Sequence, residues 1–179
     1  MTTNTTDMAL TTSKLDHHGT ASHEVYTAGF YTGAGEWDFT VRLILGKSSR
    51  GGSDVREVLA AVASVQPGDR AGWFGAWVAL GERIAAIAEA SAAGHRVSAA
   101  RAYLRAADYF AVAVNSIDGL DGDTTKLLPA FRAHRAAWEG FVANTHWPVE
   151  RVDIPYEGSS MPGWFFRPDG SGLKRRPSS

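Results

Sequence analysis

Trp73, Trp77, Leu80, Ile84 and Ile87 follow one another at steps of four, three, four and three, which lines one side of a long helix closing at Gly94. A stripe of that width has to be covered, and the flanking sequence offers other helices to cover it. Upstream, Phe39, Leu43 and Ile44 recur at helical spacing and predict a short helix over 37–45 stopped by Gly46, although Val41, Leu43 and Leu45 also suit a strand. Gly51-Gly52 breaks the pattern. Ser53 or Asp54 then caps a helix whose apolar face is Val55, Val58, Leu59 and Val62, with Asp54 and Glu57 as a capping pair and Pro67-Gly68 beyond its end. Downstream, Ser98 caps a helix that turns Ala102, Tyr103, Ala106, Tyr109, Phe110 and Ala113 inward, while Arg101, Arg105 and Asp108 pair along its other side. The turn-rich stretch 118–123 leads to a last helix from Thr125 to Asn144, carrying Leu127, Leu128, Phe131, Ala133, Trp138 and Phe141.

After Trp147-Pro148 the period becomes two. Val152, Ile154 and Tyr156 alternate with Arg151, Asp153 and Pro155, and Glu157-Gly158-Ser159-Ser160 turns into a second run from Gly163 to Arg167. An isolated hairpin is marginal in water, so these strands are expected to join a larger sheet or pack hard against the helices, and residues 170–179 supply no third strand. The fold class expected is therefore mainly α, a helical bundle followed by a C-terminal β-hairpin. Residues 1–22, rich in Thr, Ser and His, read as a disordered arm; 23–146 form the helical domain, 147–170 the hairpin and 171–179 a disordered tail.

Composition narrows the functions open to such a chain. With 44% hydrophobic and 21% charged residues and a formal charge of −1, its 179 residues can build a core and do not suit a disordered or strongly basic binder. Lys174-Arg175-Arg176 is the one basic run, so no nucleic-acid partner is expected. No apolar stretch is long enough to span a bilayer and no basic amphipathic helix or secretory leader is evident, so neither a membrane partner nor export is expected, and the sequon at Asn4 carries no weight. The lack of cysteine excludes disulfides, thiolate metal sites and a cysteine nucleophile, and is compatible with the cytoplasmic location expected here. Gly46-Lys47-Ser48 mimics the end of a phosphate loop, but Val41-Arg42-Leu43-Ile44-Leu45 upstream lacks its glycine. His17, His18 and His23 lack the spacing of a metal site. Asp118, Asp121 and Asp123 lack the closing glutamate of a calcium loop, and neither metal nor cofactor is expected.

Several short pieces occur in one order. Gly51-Gly52-Ser53-Asp54 precedes Glu57-Val58-Leu59; Pro67-Gly68-Asp69 precedes Trp73 and Trp77; Ala93-Gly94-His95-Arg96-Val97-Ser98-Ala99-Ala100 precedes Ala102-Tyr103-Leu104-Arg105-Ala106-Ala107-Asp108-Tyr109-Phe110. Val149-Glu150, Ile154-Pro155-Tyr156-Glu157-Gly158 and Met161-Pro162-Gly163-Trp164-Phe165-Phe166-Arg167-Pro168 close the set. Over residues 24–172 this order resembles the N-terminal part of the α/β-hydrolase family that includes 2,6-dihydroxypseudooxynicotine hydrolase and the fermentation-respiration-switch esterase-like proteins. The resemblance implies that the helices are a cap over an active site and that the hairpin opens the catalytic sheet. It implies hydrolysis of esters, or of carbon–carbon bonds next to a carbonyl, with a small-molecule substrate and dimerisation through the helical region.

That family needs a nucleophile elbow, an acid and a later histidine. Gly158-Ser159-Ser160-Met161-Pro162 comes nearest to the elbow and ends in proline, and every histidine precedes Ser160, so this chain alone is expected to be inactive and catalytic residues are assigned to none of its positions. The polar run from Leu173 reads as a frameshift, an early stop or a short gene model where relatives continue into an apolar strand. Some of Val152, Ile154, Tyr156, Trp164, Phe165 and Phe166 should then be exposed beside an unpaired strand edge. Phe30, Tyr31, Trp73, Trp77 and Tyr109 are the candidates to line a substrate pocket, although the place of Trp73 and Trp77 on the apolar stripe favours a core role. The alternative is a free-standing tetratricopeptide-like interaction module built on 71–93 and 98–115, for which about three repeats would be needed against the single pair present.

Overall fold

The computed structural model describes residues 29–30, 35–120 and 122–168, without the side chains of 118 and 119. The chain divides into two units, Met1–Phe30 and Tyr31–Ser179, and of the first only Gly29 and Phe30 are described. The arm expected at 1–22 and the tail expected at 171–179 lie outside the described residues.

In the second unit, helices α1 (Gly35–Gly46), α2 (Val55–Ala63), α3 (Arg70–Ala92), α4 (Arg96–Asn115) and α5 (Leu127–Asn144) precede strands β1 (Val149–Tyr156) and β2 (Ser159–Phe166). The described residues are thus mainly helical with one C-terminal antiparallel hairpin. Short 3-10 turns at Lys47–Arg50, Ile117–Leu120 and Thr124–Lys126 join them. No described helix is long and apolar enough to cross a membrane.

The long stripe on α3 is buried at Trp73, Trp77, Leu80 and Ile84, but its last position is Ala88, with Ile87 turned outward. Trp37 of α1 lies flat on Trp73 at 4.7 Å between ring centres, and Trp77 meets Trp73 edge-on at 5.4 Å. That stack decides which way α1 faces. Trp37, Val41 and Ile44 are buried, whereas Phe39 and Leu43 of the expected stripe are exposed. Helix α2 likewise buries Val58 and Val62 and leaves Val55 and Leu59 in solvent. Its cap is Asp54, whose Oδ1 accepts from the Arg56 and Glu57 amides; Ser53 is instead buried with its hydroxyl donating to the Ile44 carbonyl. Helix α4 starts at Arg96, so Ser98 lies within its first turn rather than at its cap.

Close helix packing follows from small residues. Ala99, Ala102, Ala106 and Ala113 of α4 are buried, and a methyl group at Gly81 or Gly140 would come within 2.7 or 2.6 Å of the Phe110 or Tyr103 ring. Helix α5 buries Ala130 and Ala137, while its Leu128 and Phe131 are exposed. Pro129 falls in its first turn, where no helical N–H partner is lost.

The hairpin turns on two residues, Glu157 and Gly158, both at positive φ (42° and 77°), the geometry that matches the twist of adjoining strands. The second strand therefore begins at Ser159, four residues earlier than the expected Gly163. Its register pairs Val149 with Phe166, Arg151 with Trp164 and Ile154 with Met161. Cross-strand partners share a face. One face carries Trp164 and Phe166, which meet Trp138 of α5 edge-on at 5.8 and 6.1 Å, while the Arg135 guanidinium lies 4.5 Å over the Trp164 ring. The other carries Val152, Ile154, Tyr156, Met161 and Phe165, and all but the half-buried Val152 are exposed. The expectation of exposed apolar strand residues holds for this outer face; Trp164, on the inner one, is covered by α5.

Candidate functional site

Asp54 and Glu57 have the spacing of a reciprocal capping box, in which the glutamate would return to the backbone amide of the cap. Here the return path runs through a tyrosine. The Asp54 amide donates to the Tyr109 hydroxyl at 2.8 Å, and that hydroxyl donates to Glu57 Oε2 at 2.7 Å. Arg105, one turn earlier on α4, donates to the same carboxylate from Nε at 3.0 Å and from Nη2 at 3.4 Å. Tyr109 is wholly buried, and that burial, aided by the Glu57 charge, raises its pKa far above the usual tyrosine range. Glu57 thus ties the start of α2 to the middle of α4. Lys47 adds a second tie, from the 3-10 turn after α1 to Asp108. Arg105 and Asp108, expected to pair along their own helix, both reach to other segments instead.

Arg96, at the start of α4, makes a further tie, to α5. Its Nε donates to the Asn144 carbonyl and its Nη2 to those of Ala143 and Thr145, at 3.0–3.3 Å. These are carbonyls at the end of α5 that the helix itself leaves without donors. The cation therefore caps α5 and fixes the link through His146 and Trp147 to β1.

Between these two ties lies a cavity of about 710 Å³. Its floor and walls come from the 48–54 turn, one face of α4 (Val97, Ala100, Arg101, Leu104 and Arg105) and the end of α5 with its link (Phe141, Asn144 to Trp147). The volume is that of a small-molecule site. Its charges are uneven. Asp54 is engaged with helix amides and Arg105 with Glu57, whereas Arg50 and Arg101 are exposed and ion-paired with no described residue. Smaller apolar hollows lie between α3 and α5, lined by Phe74, Phe110 and Ala130 among others, and beside Leu128 and Phe131.

Of the residues proposed from sequence to line a pocket, Trp73, Trp77 and Tyr109 come together, but inside the core: Tyr109 continues the tryptophan stack at 6.0 Å from Trp77. None of the three lines the 710 Å³ cavity. Phe30 is exposed and belongs to the first unit, and Tyr31 lies outside the described residues. Sequence reasoning passed over the cavity because its lining comes from three separated segments; the one local signal was the surplus of arginine at 50, 101 and 105. Among the described residues no cluster of three His, Asp or Glu side chains is grouped to hold a metal.

The chain is 37% identical over 138 residues to an α/β-hydrolase of Xenoacremonium sinensis, a match covering 74% of this chain and 31% of the relative. An α/β-hydrolase of Penicillium citrinum is 36% identical over 134 residues with the same coverage, and one of Aspergillus fumigatus is 30% identical over 149 residues, 82% of this chain and 32% of its own length. No family profile matches the chain. The chain spans about a third of the curated relatives it matches. These similarities support an α/β-hydrolase-like family.

Proposed function

We propose, taking kinship with the α/β-hydrolases as the premise, that this chain is the cap portion of such a hydrolase, acting on esters or on carbon–carbon bonds next to a carbonyl. The observation that carries the reading is the two-faced hairpin. Its inner face is packed by Trp138, whereas its outer face sets Ile154, Tyr156, Met161 and Phe165 in solvent. Apolar strand residues of that kind gain by being covered, and a catalytic sheet with its own packing layer is the partner a hydrolase supplies. The helices would then form the lid, whose part is to exclude water and hold the substrate in a reactive pose. The buried Trp73, Trp77 and Tyr109 serve this role by stiffening the lid from within. The nucleophile, acid and histidine are assigned to a catalytic domain outside this chain, and the helical region is assigned the dimer contact.

Joining residues 24–168 in frame to the catalytic part of the Penicillium relative, in place of that relative's matching segment, tests the reading. The chimera is expected to hydrolyse aryl esters, while the lone chain is expected to take no label from a fluorophosphonate. A chimera that folds and reacts with the fluorophosphonate yet turns over neither an aryl ester nor an aryl 1,3-diketone would refute the cap assignment, and labelling of a serine in the lone chain would refute the assignment of the nucleophile elsewhere.

A further inference from the structure

We infer that the 710 Å³ cavity is a binding site for an organic carboxylate with a flat apolar body, held by Arg50 and Arg101. The site belongs to this chain by itself and does not rest on the hydrolase reading.

Three observations converge on that class of ligand. The cavity has room for one, since sites for small organic molecules run from about 300 to 1,000 Å³. Its walls divide by chemistry. Val97, Leu104, Phe141 and the half-exposed Trp147 offer apolar and aromatic surface, while Arg50 and Arg101 enter from two different segments, the 3-10 turn and α4. Among the described residues, those two guanidinium groups are also the charges of the region without an ionic partner. Every other ionised side chain on or beside the cavity has its partner: Asp54 the two amides of α2, Arg105 and Glu57 each other, Lys47 and Asp108 each other. A carboxylate is what a guanidinium recognises with two parallel N–H donors, and a site between two of them adds orientation as well as charge. His146, packed against Trp147 at 4.8 Å between ring centres, is the remaining titratable group on the lining and does not oppose an anion.

The positions of the ties explain why such a site would be preformed. The Glu57, Tyr109 and Arg105 network, through the Asp54 amide, fixes the wall formed by the 48–54 turn and α4, and Arg96 fixes the wall formed by the end of α5. Neither uses Arg50 or Arg101, so replacing those two leaves both walls in place.

The test is titration of the full chain with naphthalene-2-carboxylate, followed by heteronuclear NMR of the tryptophan indole and arginine Nε signals, with naphthalene-2-carboxamide as the uncharged counterpart. The expected result is saturable shifts at the Trp147 indole and at the Arg50 and Arg101 Nε groups, with the carboxamide bound at least tenfold more weakly. Arg50→Gln and Arg101→Gln should each weaken the carboxylate about tenfold, as the loss of a hydrogen bond to a charged group implies. Both variants should keep the parent's amide spectrum, and Arg101→Lys, which keeps the charge without the paired donors, should recover only part of the affinity. Equal binding of carboxylate and carboxamide, or affinity unchanged in the two glutamine variants, would overturn the proposal. So would shifts confined to the backbone amides of the hairpin residues Tyr156 and Phe165. Inorganic phosphate displacing the probe at equal concentration would point to a bare anion site and overturn the apolar part of the assignment.

Discussion

Removing the Tyr109 hydroxyl with Tyr109→Phe leaves the ring against Trp77 and deletes two hydrogen bonds at once. The Asp54 amide loses its acceptor, and an unpartnered amide costs about 1–3 kcal/mol. Glu57 loses a donor at 2.7 Å, a bond to a charged group worth about 1.5–3 kcal/mol, but keeps both nitrogens of Arg105. Because the carboxylate retains its cation, and because the two losses share one site, the sum is not reached, and about 2–4 kcal/mol of destabilisation is expected. Urea unfolding followed by far-ultraviolet circular dichroism measures it. With a slope near 2 kcal/mol per molar, typical of small domains, the midpoint should fall by about 1–2 M with the slope unchanged. The partner variant Glu57→Gln supplies the control, since a double-mutant cycle between the two positions should return a coupling of at least about 1 kcal/mol. A midpoint shift equivalent to less than about 0.5 kcal/mol, or a coupling near zero, would refute the claim that Glu57 and Tyr109 together fasten α2 to α4.

The same hydroxyl predicts the alkaline limit of the fold. Its folded pKa lies above the unfolded value of 10.0, so its contribution is complete below that value and drains away as pH rises beyond it; Tyr109→Phe should flatten this alkaline loss in denaturation measured from pH 8 to 11. Gly140→Ala would drive a methyl group to 2.6 Å from the Tyr103 ring, and the forced separation of α4 and α5 should cost about 1–3 kcal/mol by thermal or urea unfolding. Glu157→Asn places in the turn a residue that adopts positive φ with less strain, and should slow amide hydrogen exchange in β1 and β2 by about two- to fivefold, equivalent to about 0.5–1 kcal/mol. Unchanged exchange in that variant would contradict a positive φ at residue 157.

The existence and order of the helices were readable because a 3.6-residue period survives even when individual positions shift, as on α3, where Ala88 takes the buried place expected of Ile87. Facing was not readable where two stripes competed. On α1 both Phe39 with Leu43 and Trp37 with Val41 satisfy helical spacing, and the choice is made by Trp73, thirty-six residues further on. Charged side chains were harder still. Local spacing suggested that Glu57 would return to its own cap and that Arg105 would pair with Asp108; each found a better partner across the fold, at separations that no window along the sequence covers. The cavity shares that origin. The arginines at 50 and 101 lie on one hollow because α4 passes behind the turn that follows α1, a juxtaposition set by packing alone. Trp73, Trp77 and Tyr109 show the converse, since large aromatics suit a pocket and a core equally well until burial separates the two.

Trp138 serves two neighbours with one ring. It lies on α5, and through Trp164 and Phe166 it also carries the hairpin, with only residues 145–148 between the helix and the strand. The helices and the strand pair are consequently joined by an aromatic contact as well as by a short link. In a hydrolase assembled on this plan, the lid would have no free swing of its own: any tilt of α5 would be geared directly into the first two strands of the sheet, and opening the site would mean shearing those strands against their neighbours.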